Sequence, residues 1–326
     1  MHLTDTSPTG SDHARPAAVV CTGIAVLDAV FRVAQFPVPE AKTQASQFMF
    51  VSGGCAANAA ISIARLGGRA CFAGPLGGPA GAEAIGDRIA AALAAEHVDC
   101  AWCVRVPGVP SSISAICVDP AGERAIVNYR DDRLAAARPS DPAAIVASAD
   151  AVLADNRFPE FVLPICAAAR ARGIPVVLDA DKPTHTTDSL LGIASHVVFS
   201  AEGLRATAGT HDLAAGLERI AAASRAFLAA TDGPHGVFWR TPQMPGKSGW
   251  VPAFPIQPID TLAAGDVFHG AFALALAEGH EETQAMRFAA AAAAIKCTRF
   301  GGISGAPGRA EVEALMTTHP PRAFDT

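Results

Sequence analysis

Aromatic side chains are scarce in this chain: 326 residues carry one tyrosine and three tryptophans, and Phe, Trp and Tyr together make up 6%. Half of the residues are nonetheless hydrophobic, with many alanines and 29 glycines. The core is therefore built from small side chains, which suits close packing of helices on a sheet. Basic residues are not in excess either. The chain has 25 Lys and Arg against 31 Asp and Glu, a formal net charge of −6, so no basic footprint for nucleic acid exists. No apolar run reaches membrane-span length without interruption, and Met1 to Pro16 holds no signal-peptide-like apolar stretch. That opening reads as a disordered tail over 1–17, and the chain as a cytoplasmic enzyme. A metal framework is also lacking. The eight cysteines are scattered, and Cys21, Cys71, Cys117 and Cys166 read as small buried hydrophobes in a reducing compartment. Cys100-Ala101-Trp102-Cys103 is a CxxC, but no second CxxC or His pair completes a zinc site. A redox pair would open a helix, whereas Val98 to Val106 reads as a strand.

What is present is alternation of strand and helix. Val19 to Ala25 is a short apolar run ending in small residues, a buried strand. From Ala56 the period becomes helical and stops at Gly67-Gly68. A strand at Ala70 to Ala73 and a helix from Gly81 to Ala95 follow. Strands at 151–154, 175–179, 197–200 and 226–231 continue the pattern, with a helix ending at Arg172 between the first two, and from Ala264 the chain is largely helical to Met316. Such units predict a mostly parallel sheet with helices on both faces, an α/β fold in one domain over 18–320. Two segments stand apart, 29–52 and 110–131. The first has alternating character punctuated by Pro37 and Pro39. The second has the turn Asp119-Pro120-Ala121-Gly122 between alternating runs, a hairpin signal. Together they predict a small β-lid that closes over a site from which water must be excluded.

The chemistry concentrates in Asp260-Thr261-Leu262-Ala263-Ala264-Gly265-Asp266, which opens a strongly apolar helix. Small residues there let the backbone N–H groups of Ala263, Ala264 and Gly265 approach a ligand, and the positive helix end favours an anion. An acid beside a bound phosphate repels it, so Asp266 is better read as a general base that takes a proton from an attacking hydroxyl; an ordinary N-cap is the alternative. Ligands of parallel sheets bind at the carboxyl ends of strands. Asp28 follows the first strand, and Gly53-Gly54 leads into a helix carrying Asn58, whose amide offers donor and acceptor to vicinal hydroxyls. The turn Thr231-Asp232-Gly233-Pro234-His235-Gly236 follows a late strand, with glycines that leave room for a base or phosphate.

Taken together, Gly53-Gly54 with Asn58 and Arg65-Leu66-Gly67, the 231–236 turn and the 260–266 segment resemble the ribokinase-like (PfkB) carbohydrate kinases, in order and separation, from about Val19 to Leu315. The resemblance implies an α/β/α sandwich with a β-lid, ATP as phosphoryl donor, Mg²⁺, a possible monovalent cation, and a homodimer through the lids. It implies Asp266 as base, the Ala263, Ala264 and Gly265 amides as anion hole, and Asp28, Gly54 and Asn58 as sugar ligands. Thr231, Gly233, Gly236 and Ser200 fall on the nucleotide side. A narrower likeness, carried by Asp266-Val267-Phe268-His269-Gly270-Ala271, Ile295-Lys296-Cys297-Thr298-Arg299 with Gly301-Gly302, Val152 to Arg157, Gly122-Glu123-Arg124 with Asn128-Tyr129, and Phe199-Ser200, is to the sulfofructose kinases. In that subgroup the sulfonate is held at positions matching Lys42, Asn128 and Arg157. A sulfonate is always anionic and needs charge-assisted donors, a point charge from Lys and a planar fork from Arg. Lys42 could equally be a solvated edge charge, and Arg157 could pair with Glu160 or Asp155. The expectation is an ATP-dependent kinase for a primary hydroxyl, with 6-deoxy-6-sulfofructose at its 1-hydroxyl as the leading substrate. Fructose, a phosphorylated ketose, a nucleoside, or a sugar-binding member without turnover are the alternatives.

Several positions depart from the family pattern. Ala263 replaces the first Gly of Gly-Ala-Gly-Asp, which would be strained in a left-handed conformation. The Asn-x-x-Glu that organises Mg²⁺ would fall at Ser200-Ala201-Glu202-Gly203 and matches at neither end; Glu202 or Asp181 is the candidate substitute. Gly77-Gly78-Pro79 lacks an acid often found there. Position 55, Lys in ribokinases, is Cys, which argues against simple ribose.

Overall fold

The computed structural model describes residues 15–185, 188–242 and 247–320. Most of the expected tail lies outside these; at its end Arg15 donates to Asp150 at 2.8 Å. Eight strands form the central sheet: β1 (Ala18–Thr22), β4 (Arg69–Ala73), β9 (Ala151–Asp155), β10 (Val176–Ala180), β11 (His196–Ser200), β12 (Phe227–Thr231), β13 (Val237–Arg240) and β14 (Ser248–Val251). Their order is β14-β13-β12-β11-β10-β9-β1-β4, parallel from β4 to β12 and antiparallel at the β13 and β14 edge. β13 and β14 had no forecast, because each is only four residues long. β1, β9 and β10 are buried throughout, as continuous apolar runs covered on both faces should be.

Alternation decides which face each strand residue meets. Val19, Cys21, Leu153, Val177 and Val198 pack with α1 (Cys55–Arg65), α2 (Ala84–Ala95), α8 (Ala264–Ala277), α9 (Glu282–Cys297) and α10 (Arg309–Thr318). Val20, Val152, Leu178 and Phe199 pack with α3 (Pro142–Val146), α4 (Pro159–Ala171), α5 (Ser189–Ile193), α6 (Ala201–Ala208) and α7 (Leu213–Ala221). Asp155 and Asp179, two residues beyond Leu153 and Val177, fall in step with the first set and therefore turn toward α1 and α8.

A second sheet joins β2 (Val26–Val33), β3 (Ala45–Gly53), β7 (Ser112–Val118) and β8 (Arg124–Tyr129) in the order β3-β2-β7-β8. The two outlying segments thus meet in one sheet, through the parallel pairing of β2 with β7. The 119–122 turn links an antiparallel hairpin, its Ala121 and Glu123 amides bonded to Asp119. β5 (Pro75–Gly78) pairs with β6 (Val104–Pro107).

The strand read across 98–106 is a correction. Val104–Pro107 is the extended segment and Asp99 makes an isolated bridge to Cys71 of β4; between them Asp99 accepts from the Ala101 amide at 2.9 Å and Cys103 N donates to Cys100 O at 3.1 Å, closing a turn. An Asp that bonds its own backbone two residues on competes with strand pairing.

Candidate active site

The carboxyl ends of β1, β9 and β10 meet the N-terminus of α8. Ala263, the residue before that helix, is left-handed at φ 64°. The departure from Gly therefore falls where a side chain is disfavoured, at a cost of about 1–2 kcal/mol. What holds it is Asp260. Its carboxylate is fully buried and accepts from the amides of Leu262 at 2.8 Å, Gly301 at 3.0 Å and Gly302 at 2.9 Å. Lys296 of α9, equally buried, donates to the Asp260 carbonyl at 2.6 Å and lies 3.3 Å from its carboxylate. Burial pulls this ammonium down and Asp260 opposes the pull. Of the three amides expected to form the anion hole, Ala264 N is spent on Thr261 O at 3.2 Å. Those of Ala263 and Gly265 make no hydrogen bond among the described residues.

Asp266 lies in the first turn of α8, and Asn58 Nδ2 donates to its Oδ2 at 2.7 Å. Asn58 is buried in α1, and its Oδ1 has no partner. One of its two N–H donors thus serves the expected base, leaving the second N–H and the acceptor oxygen for a sugar hydroxyl. Burial raises the Asp266 carboxyl, with the Asn58 bond opposing. Asp28, on β2, is pushed by burial to about 6, against a hydrogen bond from Ser114. Gly53 and Gly54 now have a physical reason. A Cβ on Gly53 would overlap the Asp28 carboxylate, and Gly54, at φ 91°, passes so near the Ile24 carbonyl that a Cβ would stand 2.5 Å from it.

Arg157, beyond β9, corrects an expectation. Neither Glu160 nor Asp155 pairs with its guanidinium: Asp181 does, through two bonds of 2.7 and 2.5 Å. Asn156 Oδ1 accepts at 2.8 Å and Cys55 Sγ lies at 3.9 Å. Glu160 is taken by Arg138. Asp155 instead receives backbone amides, from Ile24 at 2.7 Å and Ala56 at 3.3 Å on one oxygen and from Arg157 at 2.9 Å on the other. Asn128 Nδ2 donates to Ser114 Oγ at 3.1 Å, which ties it to Asp28. Lys42 is exposed in the loop between β2 and β3 and has no side-chain partner among the described residues.

The positions expected to organise Mg²⁺ do not fit that role. Ser200 Oγ accepts from Gly203 N at 2.9 Å and caps α6, and a Cβ on Gly203 would stand 2.5 Å from the Ala180 carbonyl. Glu202 is exposed on α6. It lines a cavity of about 620 Å³ with Arg205, Ala206, Gly209, Thr210 and His211, and Arg205 reaches Asp232 at 3.5 Å. Glu202 therefore stands beside the 231–236 turn. In that turn a one-turn helix leads from Thr231 into β13, with Gly233 at φ 52° and Gly236 at φ 89°. Nor does the structure fit a monovalent ion behind the anion hole, since Lys296 already occupies the Asp260 acceptors. The ligand atoms of Cys55, Asp179 and Asp266 lie within 4.8 Å of one another. Because Asp266 bonds Asn58 and Asp179 faces His269 of α8 at 3.5 Å, the trio is an acidic cluster. Asp155, Asp179 and His269 were missed as site residues, and Asp181, considered only for Mg²⁺, instead pairs with Arg157. The signal that could have found the acids was their position at strand ends.

The profile described as pfkB family carbohydrate kinase matches residues 16–309. The ribokinase of Bacillus subtilis (strain 168) is 28% identical over 280 residues, covering 83% of this chain and 90% of that protein. A solved structure from Agrobacterium tumefaciens, of a protein provisionally named ribokinase, is 37% identical with a TM-score of 0.88, covering 93% of this chain and 98% of its own. A fructokinase from Xylella fastidiosa, solved with bound ATP, is 25% identical with a TM-score of 0.72, covering 92% and 98%.

Proposed function

Because the chain belongs to the pfkB family of carbohydrate kinases and is an ATP-dependent sugar kinase, we propose that Asp266 deprotonates a primary sugar hydroxyl and that the sugar is an anionic ketose, with 6-deoxy-6-sulfofructose at its 1-hydroxyl as leading substrate. The observation that carries the first half is the half-buried Asp266 in the opening turn of α8, oriented by Asn58 at 2.7 Å. A base there meets the hydroxyl while the free amides of the helix start receive the transferring phosphoryl group. Asp28 and the Asn58 oxygen accept from the remaining hydroxyls. The 231–236 turn and the cavity beside Glu202 take the nucleotide, and any Mg²⁺ travels with its phosphates rather than in a protein cage. Arg157 from below, with Lys42 and Asn128 from the β2–β3–β7–β8 sheet acting as a lid, supplies the anion's donors.

A second reading has one observation behind it. The bidentate Asp181 partner of Arg157 compensates its charge, which favours a neutral ketose such as fructose. A coupled ADP-release assay over sulfofructose, fructose, fructose 6-phosphate, ribose and adenosine ranks the readings. In Arg157→Ala the sulfosugar should lose at least about tenfold more kcat/KM than fructose, as loss of a charge-assisted bond demands; equal losses refute the anion pocket. Asp266→Asn should cut kcat by about 10²–10⁴-fold while calorimetry still detects sugar and nucleotide binding. Near-normal turnover in that variant overturns the base assignment.

The apolar side chains exposed on the lid also support a homodimer formed through it. Phe48, Val127 and Tyr129, which strand alternation puts on one face of this sheet, are all more than half exposed, a patch of the kind that marks a protein interface.

A further inference from the structure

The His269 ring, one turn into α8, is 3% exposed and faces an acceptor with each nitrogen. Nδ1 lies 2.7 Å from the Gly265 carbonyl and Nε2 lies 3.2 Å from the Val198 carbonyl. A carbonyl oxygen can only accept, and a neutral imidazole has a single N–H. A neutral ring would therefore set one nitrogen lone pair against a carbonyl lone pair with no water to intervene. The doubly protonated ring satisfies both contacts. Its counter-charge stands beside it: Asp179 Oδ1 is 3.5 Å from Nε2 and has no hydrogen-bond partner of its own.

The surroundings need such a cation. Asp155 ends β9, Asp179 belongs to β10 and Asp181 follows it, while Asp28 arrives on β2, Cys55 on α1 and Asp266 on α8 itself. Against these acids stand Arg157, already paired with Asp181, and His269. Burial pulls the imidazole down, but Asp179 and the two carbonyls outweigh it and its value is raised.

We propose that His269 is a positioning residue held as an imidazolium, whose ring ties the anion-hole turn to β11 and whose charge keeps the Asp266 carboxylate ionised. The contact with Gly265 O fixes the peptide that joins the anion-hole turn to Asp266, and the charge lies within one helical turn of the base. The effect on turnover rests on the reading of Asp266 as base; the protonation state does not.

Two measurements test this on the full chain. Long-range ¹H–¹⁵N correlation spectra of ¹⁵N-histidine protein, assigned by the signal lost in His269→Gln, should show both ring nitrogens protonated at pH 8, where exposed histidines are neutral. A single neutral tautomer at pH 7 overturns the proposal, and this readout needs only the wild-type chain to be folded. In His269→Gln the acid limb of the kcat/KM profile should move up by about one pH unit, as removal of a neighbouring positive charge requires. A fall in activity with the limb unmoved would mean that the ring only packs. If Asp266→Asn retained activity while the spectra showed an imidazolium, the base assignment would fail and the charged clamp would stand.

Discussion

Asp28 shows how one carboxylate can be unfavourable in the empty enzyme and useful in the loaded one. Burial brings it to about 6 from an ordinary 3.8. The folded chain then holds the proton more tightly than the unfolded chain, so stability falls as pH rises from about 4 to 6 and levels off above. At neutral pH the ionised group costs on the order of 2–3 kcal/mol. A sugar hydroxyl donates to the ionised form, so sugar affinity should strengthen between pH 5 and 7.5 by calorimetry; a flat profile would remove Asp28 from the binding site. The residues with local signatures were legible in the sequence: Asp266 at a helix start, Gly53-Gly54 before another. Asp155, Asp179 and His269 were not, because their roles depend on partners brought together by strand parity and sheet order. Arg157 was misread for the same reason. Its nearest acids in the chain lost to Asp181, which the neighbouring strand delivers.

Among the elements, α9 has the least expected feature. A 16-residue helix with seven alanines places a lysine in the core, where Lys296 neutralises Asp260 and so holds a left-handed alanine in place. Removing one partner leaves a buried uncompensated charge. Lys296→Met should therefore lose about 3–5 kcal/mol of stability, read as a lower denaturant midpoint, whereas a loss under about 1 kcal/mol would show that water reaches the pair. Strands and helices that repeat were readable from apolar runs and 3.6-residue periodicity, and the Asp-Pro-Ala-Gly hairpin from its turn chemistry. The four-residue edge strands and the Asp99 turn were not, since short extended pieces carry too few side chains to declare a period.

For the molecule as a whole, two sheets border one candidate site, and the smaller keeps apolar side chains in contact with water. Val127 is 75% exposed on a strand that has no buried residue. If two copies cover this sheet, Val127→Asp should convert a dimer to a monomer in sedimentation velocity at unchanged fold, and a wild-type monomer would refute the pairing. The architecture was legible because strand–helix alternation leaves few topologies, and so was the joining of the two outlying segments into one small sheet; the parallel register of β2 on β7 was not, because the paired residues, Val26 with Ser112 for one, are far apart in the chain. The chain crosses from the large sheet to the small one through Gly23–Ala25 and returns through Gly54. Both crossings, and the Arg157 amide, hang on the same Asp155 carboxylate. That carboxylate is an axle. The backbone that enters the small sheet, the start of α1 and the backbone that aims Arg157 are thus pinned to a single side chain, and none of the three can shift without loading the hydrogen bonds of the other two.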